Sequence, residues 1–204
     1  MSEAEQKARK GLVFSDKFQV LVLAVVFVIP IVAAMLYRPS GTMNYGELVE
    51  PARPLQAVTL RDLEGRTVSL DALKGKWTFF YFGAPECRRP CQDNLYKMRQ
   101  VRLAQGKNAH RVQYVWLLTA PAAAADLAAL RRAHPDLRIL QAAPAELRAL
   151  ARQFRLPAGD PLQRLERIYL IDPLGNLMMS YPLGADPSGM RKDLARLLRV
   201  SRIG

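Results

Sequence analysis

An apolar segment without a single charged residue lies near the start of the chain, from Phe18 to Tyr37. Its 20 residues match the length that an α-helix needs to cross a bilayer. Pro30 lies inside it, which transmembrane helices tolerate. More basic residues precede the segment than closely follow it, so the positive-inside rule places residues 1–17 in the cytoplasm. We therefore predict a single membrane anchor at 18–37, with the rest of the chain beyond the membrane.

Two other interpretations of this segment stay open. One is a buried core helix, and the other is a cleavable signal peptide with Val32-Ala33-Ala34 at the cleavage site. An anchor and a signal peptide both place the domain outside the cytoplasm, which in a bacterium predicts a periplasmic domain at the inner membrane. Residues 38–54 are rich in Pro, Gly and polar side chains, which is typical of a tether. The folded domain is then expected at 55–204.

Within that domain, short apolar runs alternate with amphipathic segments. A first hairpin is predicted at 55–60 and 66–70, around the turn at Gly65. Further strands are predicted at 77–82, 111–118, 138–140, 168–171 and 177–181, and helices at 90–102, 122–134, 145–154 and 188–200. Strands that alternate with helices indicate an α/β fold with a mixed central sheet flanked by helices.

Composition and charge narrow the function classes. Apolar residues make up 50% of the chain and charged residues 24%, which is normal for a folded protein. The net charge is +12, but the basic residues occur in scattered pairs and no motif for nucleic acid accompanies them. A binding partner such as an acidic lipid surface or an acidic protein fits this distribution of basic residues better than nucleic acid does. Two cysteines are too few for a disulfide-rich scaffold or a four-cysteine zinc site.

Those two cysteines, Cys87 and Cys91, lie where a buried strand gives way to a helix. Residues four apart share a helix face, so the sulfurs can approach each other. A helix N-terminus and the adjacent Arg88 and Arg89 favour thiolate, whereas Glu86 opposes it. We expect Cys87 to be the more exposed and more acidic thiol. The pair predicts either thiol–disulfide exchange or copper(I) binding; a purely structural disulfide is the third interpretation.

Several motifs together resemble the SCO/SenC branch of the thioredoxin-like superfamily over about 55–200. They are Lys74-Gly75-Lys76, Phe82-Gly83, the Cys-x-x-x-Cys pair, Leu95 with Met98, and Tyr169-Leu170-Ile171-Asp172-Pro173-Leu174-Gly175. The resemblance implies a thioredoxin-like fold behind the membrane helix. It also implies a role in assembling the copper centre of cytochrome c oxidase, as a copper(I) carrier or as a thiol reductant. The partner would be an oxidase subunit or another cysteine-containing respiratory protein.

One departure from that family changes the expected chemistry. The family has a histidine, its third copper ligand, shortly before the Tyr-Leu-Ile-Asp-Pro motif, and here Arg164 stands at about that place. His110 and His134 are expected on the surface at the opposite end of the sheet, and Met178 and Met179 in the core. We therefore expect a thiol–disulfide protein whose Cys87 thiolate is supported by Arg88, Arg89 and Arg164. A copper(I) chaperone using the same cysteines and a non-enzymatic assembly scaffold are the alternatives.

Overall fold

The computed structural model describes residues 16–36, 44–201 and 203. Helix α1, Asp16–Leu36, forms one unit by itself, and the described residues from 44 onward form the other. Lys17–Met35 has a mean hydropathy of 2.8 and is long and apolar enough to span a membrane. The predicted apolar helix is confirmed. Its role as an anchor, and the side of the membrane on which the domain lies, stay predictions.

The second unit is built on one mixed sheet of eight strands in the order β1-β8-β7-β4-β5-β6-β2-β3. The strands are β1 (Glu47–Pro54), β2 (Thr59–Asp62), β3 (Thr67–Ser69), β4 (Trp77–Gly83), β5 (Val112–Leu118), β6 (Leu137–Gln141), β7 (Ile168–Ile171) and β8 (Asn176–Tyr181). Strands β4, β5 and β6 are parallel, and the other pairs are antiparallel. The α/β prediction is confirmed, as are the first hairpin, formed by β2 and β3, and the strands predicted at 168–171 and 177–181, which pair as the hairpin of β7 and β8.

Helices cover both faces of this sheet. They are α2 (Arg89–Leu103), α3 (Ala128–Ala133), α4 (Pro144–Gln153) and α5 (Pro187–Val200). Every residue of β4 is buried, and its side chains alternate between two cores because successive strand residues point to opposite faces. Phe79 and Tyr81 pack in the core that includes α2 and α5, whereas Phe80 and Phe82 pack in the core that includes α4.

Two segments differ from the sequence-based expectation. Residues 47–54, within the segment assigned to a tether, form β1, which pairs with β8 at one edge of the sheet. This strand was not predicted because it contains Pro51 and Pro54, and proline lacks the N–H that a central strand must donate. An edge strand such as β1 accommodates proline. The helix expected at 122–134 is regular only over Ala128–Ala133. Its alanine-rich first half forms turns instead.

Candidate functional site

The cysteine pair lies directly after the central strand of the sheet. Strand β4 ends at Gly83, whose carbonyl accepts a hydrogen bond from the backbone N–H of Thr119, 3.0 Å away at the end of the parallel neighbour β5. A Cβ at Gly83 would come within 2.4 Å of Trp116 Nε1, so only glycine fits at this close approach. The cysteines therefore stand at the carboxyl end of the parallel strands, where sites of α/β folds gather.

A short turn carries the chain from β4 into α2. The N–H of Cys87 donates to the carbonyl of Ala84 at 3.1 Å, and the Cys87 carbonyl accepts from the side chain of Gln92 at 3.0 Å. Cys87 has a φ of +30°, in the region that L-residues rarely adopt. Such backbone strain is found mostly at functional sites. Arg88 then stands at the N-cap position of α2 without a capping side-chain hydrogen bond, Pro90 occupies the first turn, and Cys91 lies within that turn.

The two cysteines form a disulfide, with their Cα atoms 5.0 Å apart. The predicted approach of the two sulfurs is confirmed. The prediction that Cys87 is the more exposed thiol is wrong, because Cys87 is 4% exposed and Cys91 is 6% exposed. Both belong to the core between the sheet and α2. The disulfide is therefore not displayed on an open rim but forms part of the wall of a cleft.

That cleft has a volume of about 440 Å³ and brings together parts of the chain that are far apart in sequence. The turn and the start of α2 contribute Glu86, Arg88 and both cysteines, and the loop before β7 contributes Arg164 and Glu166. All four of these charged residues are exposed. Arg88 and Arg164 thus line the same cleft as the disulfide, and their support of a Cys87 thiolate stays a prediction. Arg89 is exposed and does not line it.

The charge of the cleft is more balanced than the sequence analysis expected. Two guanidinium groups are matched by the carboxylates of Glu86 and Glu166. Within the described residues, neither Arg88 nor Arg164 forms an ion pair with them. The arginines remain available to a negative group that appears in the cleft, such as a thiolate. The N-terminus of α2 favours a negative charge at the same place.

Two buried side chains that sequence reasoning missed hold the arginine-bearing loop against the site. Tyr81, on β4, donates from its hydroxyl to the carbonyl of Leu165 at 2.7 Å. Asn94, on α2 and fully buried, donates from Nδ2 to the carbonyl of Glu166 at 3.1 Å. Burial raises the pKa of Tyr81 to about 12, so its hydroxyl keeps the proton that it donates. A polar Asn in the otherwise apolar stripe of α2 was the available signal.

The remaining candidate ligands do not line the cleft that both cysteines share. His110 is exposed ahead of β5, where its Nδ1 contacts the carbonyl of Lys107 at 2.8 Å, as predicted. His134 is half-buried against Tyr114, with ring centroids 6.3 Å apart, so its expected surface position is only partly right. Met179 is 1% exposed in the core, and Met178 packs against that core. Neither methionine lines the cleft.

The donor set of the cleft does not suit a three-coordinate copper(I) site. The reduced pair would supply two soft thiolates, but its charged neighbours are hard carboxylates and guanidinium groups, which do not ligate copper(I). Among the described residues, no group of three or more His, Cys, Asp and Glu side chains is placed to hold a metal ion. Arg164 adds positive charge where a third ligand would be needed, and this opposes a cation.

The fold is similar to that of several proteins of known structure. Copper-bound ScoI of Bradyrhizobium japonicum aligns with this chain at a TM-score of 0.58 and 25% sequence identity. The alignment covers 70% of this chain and 98% of the ScoI chain. Copper-bound Sco1 of yeast has a TM-score of 0.63 and 19% identity, covering 75% and 96%. The thioredoxin domain of a thiol-disulfide oxidoreductase from Bacteroides vulgatus has a TM-score of 0.56 and 16% identity, covering 74% and 99%.

These likenesses confirm the resemblance stated from the sequence, since Sco proteins and thioredoxin-like oxidoreductases share the fold. The comparison with curated protein sequences gave no match. The family described as "Transmembrane-like, thioredoxin-like, C-terminal domain" matches residues 77–201, from β4 through α5. That match takes in the turn, the cysteine pair and the Arg164 loop, and it spans more than half of the chain. The chain belongs to this family of transmembrane-like, thioredoxin-like C-terminal domains.

Proposed function

We propose that this protein is a membrane-anchored thiol–disulfide protein that reduces a cysteine-containing partner during assembly of the copper centre of cytochrome c oxidase. The observation that carries the proposal is the Cys87–Cys91 disulfide in a cleft with Arg88 and Arg164. Likeness to Sco proteins supports the oxidase context. Helix α1, the one helix of the described residues that is long and apolar enough to span a membrane, supports attachment to the bacterial inner membrane, with the domain in the periplasm.

The geometry favours Cys87 as the attacking sulfur. Cys87 lines both the cleft and a second surface depression, whereas Cys91 lines the cleft but not that second depression. In the reduced protein, the Cys87 thiolate attacks a sulfur of the partner disulfide, and the second partner sulfur leaves as a thiolate. Cys91 then attacks Cys87 Sγ, which closes the Cys87–Cys91 disulfide and releases the first partner sulfur. Two electrons pass to the partner, and a dithiol donor must reduce the pair again.

A deletion strain complemented with variants tests this function. We expect Cys87→Ser and Cys91→Ser each to abolish oxidase assembly, because each breaks one half of the exchange. Arg89→Ala is the matched control, since Arg89 does not line the cleft. If the double cysteine variant restores full oxidase activity, the protein acts as a scaffold and the redox proposal is wrong.

Copper(I) carriage through the same cysteines is the second candidate, favoured by the copper-bound Sco structures that share the fold. The cargo ion would bind the two reduced thiolates, with any further ligand supplied by the partner. Titration of the reduced full-length protein with copper(I) against a competing chelator separates the two functions. Tight one-to-one binding that blocks thiol exchange would favour the carrier; weak binding with free exchange would favour the reductant.

A further inference from the structure

A second depression also begins at Cys87. It is a groove of about 550 Å³ between α2 and the segment 126–134, with Cys87 among its lining residues and His134 at the end of that segment. Cys91 does not line it. A chain that lay in this groove would therefore contact Cys87 and not Cys91.

The groove has an apolar floor and an acidic rim. Leu127 is buried in the floor, and the half-buried Leu130 packs against the same core. The rim carries the exposed carboxylates of Glu86, Asp93 and Asp126, and no Lys or Arg of the described chain lines it. This concentration of negative charge is unusual on a protein with a net charge of +12.

Tyr96 adds an aromatic wall. Its side chain lies on α2 beside the acidic residues and is 59% exposed. Exposed aromatic rings bind apolar side chains, and their faces attract Lys and Arg cations. The apolar floor, the acidic rim and this aromatic ring therefore all favour an occupant with apolar and basic side chains.

We propose that this groove receives an extended segment of the redox partner, one that carries apolar and basic side chains beside its reactive cysteine. The proposal rests on the proposed function, because it specifies the substrate of the same cysteine pair. The apolar side chains would lie on Leu127 and Leu130, and a Lys or Arg would face Asp93 and Asp126. The partner sulfur would then meet Cys87 at the end of the groove.

The other cleft makes a different prediction. A partner that entered it would meet Arg88 and Arg164 together with Glu86 and Glu166 and should show little preference for charge, whereas long-range attraction to a strongly basic protein would favour acidic side chains. A preference for basic substrates therefore cannot arise from the net charge. It requires a local acidic contact.

The test uses the full-length Cys91→Ser variant in detergent micelles, with Cys87 reduced. Two peptides are compared, identical except for Lys or Glu beside a cysteine activated as its thionitrobenzoate disulfide. The Cys87 thiolate attacks the peptide sulfur, a Cys87–peptide disulfide forms, and coloured thionitrobenzoate leaves with the electron pair. We expect the Lys peptide to react about tenfold faster at low ionic strength, and the preference to shrink as salt is added.

Variants locate the preference in the groove. Asp126→Asn and Asp93→Asn should each reduce the Lys-over-Glu ratio, and Tyr96→Ala should slow both peptides. Glu146→Gln is the matched control, since it removes the same charge on α4, which packs in the core on the other sheet face. Reaction with a small uncharged aromatic disulfide confirms that each variant keeps a reactive Cys87.

The outcomes separate this inference from the function on which it rests. Equal rates for the two peptides, a faster Glu peptide, or a ratio that Asp93→Asn and Asp126→Asn leave unchanged would each overturn the groove proposal while Cys87 still exchanges. Absence of any mixed disulfide in the folded protein, when the denatured chain reacts, would overturn the proposed function itself.

Discussion

Asn94 on α2 donates a 3.1 Å hydrogen bond to the carbonyl of Glu166, 72 residues later in the chain. Together with the bond from Tyr81 to Leu165, it fastens the Arg164 loop to the elements that present the disulfide. Asn94→Ala should lower the free energy of unfolding by about 1–3 kcal/mol, because the part-buried hydrogen bond to the Glu166 carbonyl is lost. Denaturant unfolding of the oxidised protein measures this change.

A double-mutant cycle with Tyr81→Phe tests whether the two bonds act on the same loop. If they do, the effects of Asn94→Ala and Tyr81→Phe on the Cys87–Cys91 reduction potential should not be additive. Strictly additive effects, or single variants with unchanged potentials, would show that the loop does not influence the cysteines.

Gly83 should not tolerate a side chain. A Cβ there would lie 2.4 Å from Trp116 Nε1 and 2.8 Å from Tyr81 Cε1, at the point where β4 delivers the chain to the cysteine turn. We expect Gly83→Ala to destabilise the protein by about 1–3 kcal/mol, as overpacking does in cores. Gly184→Ala is the control, since its Cβ would meet nothing within 4 Å. Equal melting temperatures for the two variants would contradict the close packing at Gly83.

Asp193 fixes the start of the folded domain. Its buried carboxylate accepts hydrogen bonds from the backbone N–H groups of Tyr45 and Gly46 and from the Tyr181 hydroxyl. Asp193→Ala should leave three donors unpaired, destabilise the fold by about 3 kcal/mol or more, and expose 44–46 to protease. Asp136→Asn, which breaks an exposed ion pair with Arg102, should change stability by less than about 1 kcal/mol. Protection of 44–46 in Asp193→Ala would contradict this role.

The buried tyrosines predict a loss of stability at alkaline pH. Burial raises the pKa of Tyr81 to about 12 and that of Tyr169 to about 12, above the ordinary value of 10.0. The folded state therefore favours the neutral form of both tyrosine hydroxyls. Their contribution to stability is complete below pH 10 and is lost as the pH rises from about 10 to about 12.

Tyrosinate absorbance and denaturant unfolding across that range check this prediction. Tyr81→Phe should make the alkaline decline less steep. If every tyrosine of the folded, active protein ionised with the ordinary pKa of 10.0, the burial of these hydroxyls would be contradicted.

Arg164 should be the residue that disfavours copper(I). Arg164→His replaces a guanidinium in the disulfide cleft with an imidazole that can ligate copper and should raise copper(I) affinity at least tenfold. Arg89→His is the control, because that position does not line the cleft and should leave affinity unchanged. Competition with a chelator measures both. Equal gains in the two variants would mean that the added histidine does not act through the cleft.

Much of this architecture follows from local pattern. The aromatic run of β4, the helical stripe of α2 and the hairpin before α5 predict the fold, because each is a strong periodic signal. Strand β1 was not predicted because its stability comes from pairing with β8, more than a hundred residues later in the chain. Pairing across such a distance leaves no local trace in a segment that contains two prolines.

For the candidate site too, local pattern predicted some features and missed those that depend on tertiary packing. The four-residue spacing at a helix N-terminus predicted that the two sulfurs approach each other, with Arg88 beside them. The depth of the sulfurs was missed because it depends on the positive φ of Cys87 and on packing against the core. The groove was missed because α3 is shorter than its alanine-rich sequence suggested, and the tertiary position of 126–134 decides which side chains face Cys87.

The central claim is that Cys87 and Cys91 exchange electrons reversibly with other thiols. Its most direct test is to equilibrate the full-length protein in glutathione buffers of graded potential and count the free thiols at each. We predict a single reversible two-electron transition that Cys87→Ser and Cys91→Ser each abolish. A disulfide that stays oxidised in the folded protein under every buffer, and reacts only after denaturation, would contradict this account.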